Sequence, residues 1–217
     1  MKIPTVGSIP AIILNTECVY DGNLRHYFNT VFMTATNLRN GYHNFGHMFH
    51  VTFRCYEAIK YYGVTIGKRD ARALLIAAMF HDFNHPGKTG NDDLNIIFAL
   101  RGLNKHLLDE DRDLLPLIIE IIQATEFPYT VAGEKIAFLC QIIRDADISQ
   151  VFSVSWIQTF AFGLSGEMGV CPKRMLEMQE GYLTSLRFLT AWGKATFPQN
   201  VIDTKIMEVK TLLACLD

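Results

Sequence analysis

Leu74-Leu75-Ile76-Ala77-Ala78-Met79-Phe80, followed at once by His81-Asp82-Phe83-Asn84-His85-Pro86-Gly87, is the stretch on which the reading of this chain turns. Seven apolar residues in succession predict a helix buried on all sides, and Pro86-Gly87 ends it. The helix delivers an imidazole and a carboxylate at its C-terminal tip, which is costly in an apolar interior unless both find partners. A metal ion supplies one. Imidazole nitrogen with carboxylate oxygen suits zinc, manganese, iron or magnesium, and the lack of a nearby cysteine argues against a purely structural zinc site.

Outward from this helix, apolar residues recur every three or four positions, while β-branched runs alternating with polar residues are scarce. The pattern predicts an all-α bundle with helices over 24–36, 45–62, 69–81, 92–103, 114–124, 134–146, 151–162 and 174–195, and a short one near 202–215. Breaks fall at Gly63 and Gly67, at Pro86-Gly87, at Phe127-Pro128 and at Phe197-Pro198, and Gly163-Leu164-Ser165-Gly166-Glu167 reads as a loop between helices. No break is long enough for an interdomain linker, so the 217 residues predict one domain. An apolar content of 49% excludes disorder. With 20 Lys and Arg against 22 Asp and Glu, the net charge of −2 implies neither a nucleic-acid surface nor a membrane patch. No apolar run reaches the 18 residues of a membrane span and no basic leader precedes one, so a cytoplasmic location is expected. Cys18, Cys55, Cys140, Cys171 and Cys215 lack C-x-x-C spacing and read as buried thiols in a reducing cytosol. Met33, Met48, Met79, Met168, Met175 and Met178 read as core filler.

Five of the seven histidines fall in two clusters, His43, His47 and His50, and His81 and His85. On a helix, residues 43 and 47 differ by about 40° in azimuth and 43 and 50 by about 20°, so the first three would share a stripe. His26 and His106 stand alone and read as ordinary surface or core residues. A further acid lies in Arg144-Asp145-Ala146-Asp147. Asp147 follows Ile143 by four residues and continues an apolar stripe inward, whereas Asp145 beside Arg144 reads as a solvated helix end.

The order His47, His81-Asp82, Asp147 resembles the H…HD…D pattern of the HD-domain phosphohydrolase superfamily. More narrowly, Tyr42-His43-Asn44-Phe45-Gly46-His47 is similar to the Y-H-N-x-x-H element of the class I cyclic-nucleotide phosphodiesterases, and His81 to Gly87 to their H-D-x-x-H-P-G. Ala146-Asp147-Ile148-Ser149 follows in order, and the resemblance extends over residues 40 to 198. It implies a compact HD-type helical bundle hydrolysing a 3′,5′-cyclic nucleotide to the 5′-nucleotide, by a hydroxide bridging two divalent cations. His47, His81, Asp82 and Asp147 would bind the tighter ion (zinc, iron or manganese), Asp82 bridging to a second (magnesium or manganese). His43 would protonate the leaving 3′ oxygen, and His85 would hold a water or phosphate oxygen near the second ion. Thr125, in Gln123-Ala124-Thr125-Glu126, matches the family's A-T-D stretch with Glu in place of Asp.

Two cations suit this chemistry because a phosphodiester anion repels hydroxide: they neutralise the phosphate and lower the pKa of water. The alkoxide left by P–O cleavage must be protonated, and an imidazole can do so near neutral pH. The chain departs from the family in two places. The family's domains are longer, and the carboxylate of their E-N-H-H element has no assigned residue here. Gln179-Glu180-Gly181-Tyr182 matches the spacing of Q-x-G-F, which gives Gln179 a purine edge and Tyr182 the base ring, with Tyr42 beside them; otherwise both are structural residues of their helix. Gln150 and Val151 stand where many members have Asn-Pro. The expected partner is a small nucleotide; an HD phosphohydrolase for a nucleoside monophosphate or linear dinucleotide, and an idle nucleotide sensor, are the rival readings.

Overall fold

The computed structural model describes residues 8–88, 90 and 92–216, and among these there is no β-strand. Eleven α-helices follow in order: α1 (Ile9–Leu14), α2 (Arg25–Thr34), α3 (Phe45–Tyr62), α4 (Lys68–Phe80), α5 (Asp92–His106), α6 (Leu115–Gln123), α7 (Phe138–Ile148), α8 (Ser165–Met168), α9 (Pro172–Ser185), α10 (Ala191–Thr196) and α11 (Gln199–Ala214). The apolar helix is central. Every residue of α4 from Ala71 to Phe80 is buried, and it packs against α2, α3, α5, α6 and α7. Because α4 is enclosed, its tip stays inside the bundle: His81, Asp82, Phe83 and His85 are buried, and Pro86 is exposed. No described helix is long and apolar enough to cross a membrane.

Helix α3 runs over the expected residues for local reasons. Asn44 caps its start by accepting from the His47 amide, and Gly63 ends it with φ of 53°. The C-terminal half departs from expectation. Instead of one helix over 151–162, the chain makes a 3₁₀ turn (Ser149–Phe152) and then a π-helix, Ile157–Leu164. The expected loop at 163–167 is helical, since the π-helix passes directly into α8, which Gly169 ends with φ of 67°. The helix expected over 174–195 is broken into α9 and α10. Asp145 is responsible. It is no solvated helix end but fully buried, and its carboxylate accepts from the Leu189 and Thr190 amides, both at 2.8 Å, and from the Thr190 hydroxyl at 2.7 Å. Amides held there cannot bond along a helix. Thr190 then caps α10 by accepting from Gly193 N.

Other expectations are corrected by burial. Cys55 and Cys140 are buried, but Cys18, Cys171 and Cys215 are exposed. Met48, Met79 and Met175 are buried as expected, Met175 at a cavity wall; Met33 is exposed, and Met168 and Met178 line the same cavity. His26 bonds the His106 carbonyl at 2.8 Å, so the two solitary histidines meet each other away from the cluster.

The one charged residue in the buried part of α4, Arg72, is neutralised within the fold. It grips both oxygens of Asp111 at 2.7 Å and donates to the Asp21 and Asn23 carbonyls, while the Tyr27 hydroxyl donates to Asp111 at 2.6 Å. Asp111→Ala would strand a guanidinium and a phenol, and should cost about 3–5 kcal/mol in urea unfolding. Burial raises the Asp111 pKa, but Arg72 and Tyr27 outweigh it and hold the carboxyl below its ordinary value. Its contribution is therefore complete above about pH 3.9, the unfolded value, and is lost as pH falls through the lower folded value. A variant whose acid unfolding and urea midpoint match the parent's would refute this role.

Candidate metal centre and active site

The loops before α3 and after α4 converge with the first turn of α3, the last turn of α7 and α8 beyond the tip of α4. His43 lies before the Asn44 cap, so it is not on the helical stripe expected for residues 43, 47 and 50. His50 turns away from the cluster, with Nε2 3.0 Å from the Ser149 hydroxyl. Buried Asn37 joins the loops by donating to the carbonyls of His43 and Asp82, both at 2.8 Å, and accepting from the Asn84 amide. Asn84 itself sits at φ of 64°, in the left-handed region that asparagine tolerates. Asn40 donates to the His85 carbonyl at 2.9 Å. Asn44 belongs to the Y-H-N-x-x-H element, whereas the joining role of Asn37 and Asn40 has no mark in the sequence.

His47, His81 and Asp82 bring their ligand atoms within 4.8 Å of one another, and Asp147 adjoins them on the side of His47. His47 Nε2 lies 3.2 Å from His81 Nε2, 3.2 Å from Asp82 Oδ2 and 3.0 Å from Asp147 Oδ1. His81 Nε2 is 3.3 Å from Asp82 Oδ2 and 4.0 Å from Asp147 Oδ1. Both imidazoles are oriented from behind: His81 Nδ1 bonds the Ala78 carbonyl at 2.8 Å, and His47 Nδ1 bonds Gln150 Oε1. With Nδ1–H spent on an acceptor, each ring presents its Nε2 lone pair inward, the usual arrangement behind a metal-ligating histidine. Gln150 was read only as a departure from the family; here it orients a candidate ligand. Asp82 Oδ2 is buried but receives no well-aligned hydrogen bond among the described residues. Burial lowers the His47 pKa, yet Asp147 and Asp82 more than reverse this and push it up to about 10. The cluster therefore attracts positive charge, and its nitrogen and oxygen donors fit a divalent cation.

A second group stands beside it. His43 Nδ1 bonds Glu167 Oε2 at 2.5 Å, and Glu167 Oε1 accepts from the Tyr42 and His43 amides at 2.6 and 3.1 Å. Burial raises the Glu167 pKa, but the bond from His43 and its charge hold it below the ordinary carboxylate value. The His85 ring stacks on His43 with centroids 3.8 Å apart. The Gly87 amide donates to His85 Nδ1 at 3.0 Å, so neutral His85 carries its proton on Nε2. Burial and the neighbouring His43 push its pKa down to about 4. His43, His85 and Glu167 also bring one potential ligand atom each within 4.8 Å. The hydrogen bonds argue against a metal there, because His43 Nδ1 is committed to Glu167 and His85 Nε2 holds a proton. Glu167 escaped the sequence reading because its segment looked like a loop.

Two cavities adjoin the cluster. A small one of about 60 Å³ is lined by His43, His47, Asp82, Asp147, Thr125, Asp92 and Asn95 among others. Asp92 and Asn95, one turn apart on α5 and bonded at 2.6 Å, were also missed. The second cavity, about 810 Å³, shares His43, Asp147, Asp92 and Asn95 and extends past Tyr42, His85 and Tyr129 to Met175, Gln179 and Tyr182. Gln179 is 4% exposed. Its Nε2 lies 3.4 Å from Met175 Sδ and its Oε1 has no partner among the described residues. A buried amide oxygen on a cavity wall is costly until something donates to it. Tyr42, also buried, packs edge-on against Phe160.

No curated protein matches the chain. Residues 42–99 match the family model described as 3'5'-cyclic nucleotide phosphodiesterase. The matched stretch holds His43, His47, His81, Asp82, His85, Asp92 and Asn95, while Asp147, Glu167 and Gln179 lie beyond it. Through that stretch, the part that carries the two histidine loops, the chain is phosphodiesterase-like.

Proposed function

We propose that the chain is a single catalytic unit hydrolysing a 3′,5′-cyclic nucleotide to the 5′-nucleotide in a metal-dependent reaction. The observation that carries this reading is that His43, tied to Glu167, lines both cavities and so stands between the four-residue cluster and a space of nucleotide size. His47, His81, Asp82 and Asp147 would hold the tighter cation, and Asp82 with Asp92 and Thr125 would face the second. When bound, the cations neutralise the phosphodiester and lower the pKa of water.

The side chains supply the rest. Glu167 accepts the Nδ1 proton of His43, fixes the ring and stabilises its protonated form, which leaves Nε2 to give a proton to the departing 3′ oxygen. His85, neutral with a proton on Nε2, donates a hydrogen bond to a phosphate oxygen or water and adds no second positive charge beside His43. Gln179 and Tyr182 bind the base, the amide at its edge and the ring against its face.

Product analysis of the metal-loaded protein with cyclic AMP, cyclic GMP, nucleoside monophosphates and a linear dinucleotide tests the reading. A 5′-nucleotide formed from a cyclic substrate is expected; turnover of only the others would overturn it in favour of a different phosphohydrolase. Gln179→Ala should lower kcat/KM for the cyclic nucleotide by about 1–3 kcal/mol and leave a base-free phosphodiester untouched. Equal losses on both substrates would remove Gln179 from base recognition.

A further inference from the structure

The carboxylate that partners His43 arrives on a helical segment of unusual winding, and the join between that segment and the His43 loop is made of bare backbone. Gly41, two residues before His43, and Gly163, near the end of the π-helix and four residues before Glu167, face each other. A Cβ on Gly41 would lie 2.5 Å from the Gly163 carbonyl oxygen and 3.0 Å from its Cα. A Cβ on Gly163 would run into the Gly41 carbonyl and sit 3.3 Å from the Gln158 oxygen. The obstacle on each side is main chain, which cannot swing aside as a side-chain end can. Two further contacts cross the same junction: Tyr42 packs on Phe160 of the π-helix with centroids 4.9 Å apart, and Glu167 accepts both amides of Tyr42 and His43. π-Helical turns are rare and recur at functional sites. Here the π-helix carries Phe160 and Gly163 to the His43 loop and leads straight into the turn bearing Glu167.

We propose that Gly41 and Gly163 are positioning residues for the general acid: their backbone contact sets the separation at which Glu167 reaches His43 Nδ1. This rests on the reading of His43 as general acid. A methyl group at either position must push the His43 loop and the Glu167 segment apart, lengthening a 2.5 Å hydrogen bond without touching the metal ligands. Misplacement of about 1 Å can cost roughly 100-fold in rate.

Gly163→Ala and Gly41→Ala, loaded with metal, are compared with the parent and with Gly166→Ala, a control position where a Cβ meets nothing within 4 Å. Each glycine-pair variant should keep its metal content and KM, lose roughly 100-fold in kcat on a cyclic nucleotide, and lose far less on a nitrophenyl phosphodiester, whose leaving group needs little protonation. In spectra of histidine-labelled protein, the low-field Nδ1 proton of the His43–Glu167 bond, identified by its change of position in Glu167→Gln, should shift or vanish in both variants and stay in place in Gly166→Ala. If Glu167→Gln slows turnover while Gly163→Ala and Gly41→Ala keep both rate and resonance, the proposal is overturned and the general-acid reading stands. If Glu167→Gln leaves turnover intact, that reading falls and takes the proposal with it. Should neither glycine variant fold, the contact is a requirement of the fold and not of the pair, which also overturns the proposal.

Discussion

Asp82→Ala is expected to remove bound metal and turnover together. Asp82 Oδ2 lies 3.2 and 3.3 Å from the two imidazole nitrogens that face each other across the cluster. Without that oxygen only Asp147 remains to balance a cation held between His47 and His81. The carboxyl lies far below its ordinary range: burial raises it, and His81, His43 and the His47 bond outweigh burial. It is thus ionised and ready as a ligand at any working pH. Metal analysis after dialysis should find the variant empty, and turnover should fall to background. Stability supplies an independent check. A cation at a thousand times its Kd stabilises the folded state by about 4 kcal/mol, so chelator should lower the Tm of the parent and leave that of Asp82→Ala where it was. A variant that retains its metal, its rate and its response to chelator would show that the centre lies elsewhere.

The second large effect is expected at His43. His43→Asn should keep the metal, since the His43 ring stands 5.8 Å from that of His47 and contributes no atom to the cluster. It should lower kcat on a cyclic nucleotide by roughly 100- to 10,000-fold, the usual worth of proton transfer in the transition state. Loss on a nitrophenyl diester should be much smaller, because nitrophenolate departs without a proton. Glu167→Gln should fall between parent and His43→Asn, as the amide can still receive a hydrogen bond but no longer stabilises the protonated ring. Parallel losses on both diesters would mean that His43 serves binding rather than leaving-group protonation.

How much of this was legible depended on whether the causes were local. Helix α3 was, because Asn44 and Gly63 mark its ends in the sequence itself. So was α4, where an apolar run meets Pro86-Gly87. The break between α9 and α10 was not: residues 186–190 contain neither glycine nor proline, and the interruption comes from Asp145, more than forty residues earlier. The π-helix was hidden for a different reason, since its apolar spacing over eight residues cannot be told from that of an α-helix. The reading of 163–167 as a loop concealed both Glu167 and the glycine that faces Gly41. For the candidate site, the side chains that would meet substrate or metal stood out as clustered histidines and acids. The residues that aim them, Asn37, Gln150 and Glu167, are ordinary polar residues, each with a partner 45 to 124 positions away.

The last turn of α7 has a mechanical consequence. Successive helical residues point about 100° apart, so Arg144, Asp145 and Asp147 leave it in three directions. Arg144 holds the Ala124 and Val131 carbonyls and lies over Tyr129, gripping the cavity-lining segment from Glu126 to Thr130. Asp145 holds the chain at Leu189 and Thr190, and Asp147 faces His47. One turn of helix is thereby a shared anchor for the cavity wall, the C-terminal helices and the histidine–aspartate cluster. An occupant pressing on that wall and a cation held through Asp147 would bear on the same turn of helix. By thermodynamic reciprocity, any effect of the occupant on cation affinity is matched by an equal effect of the cation on the occupant's affinity.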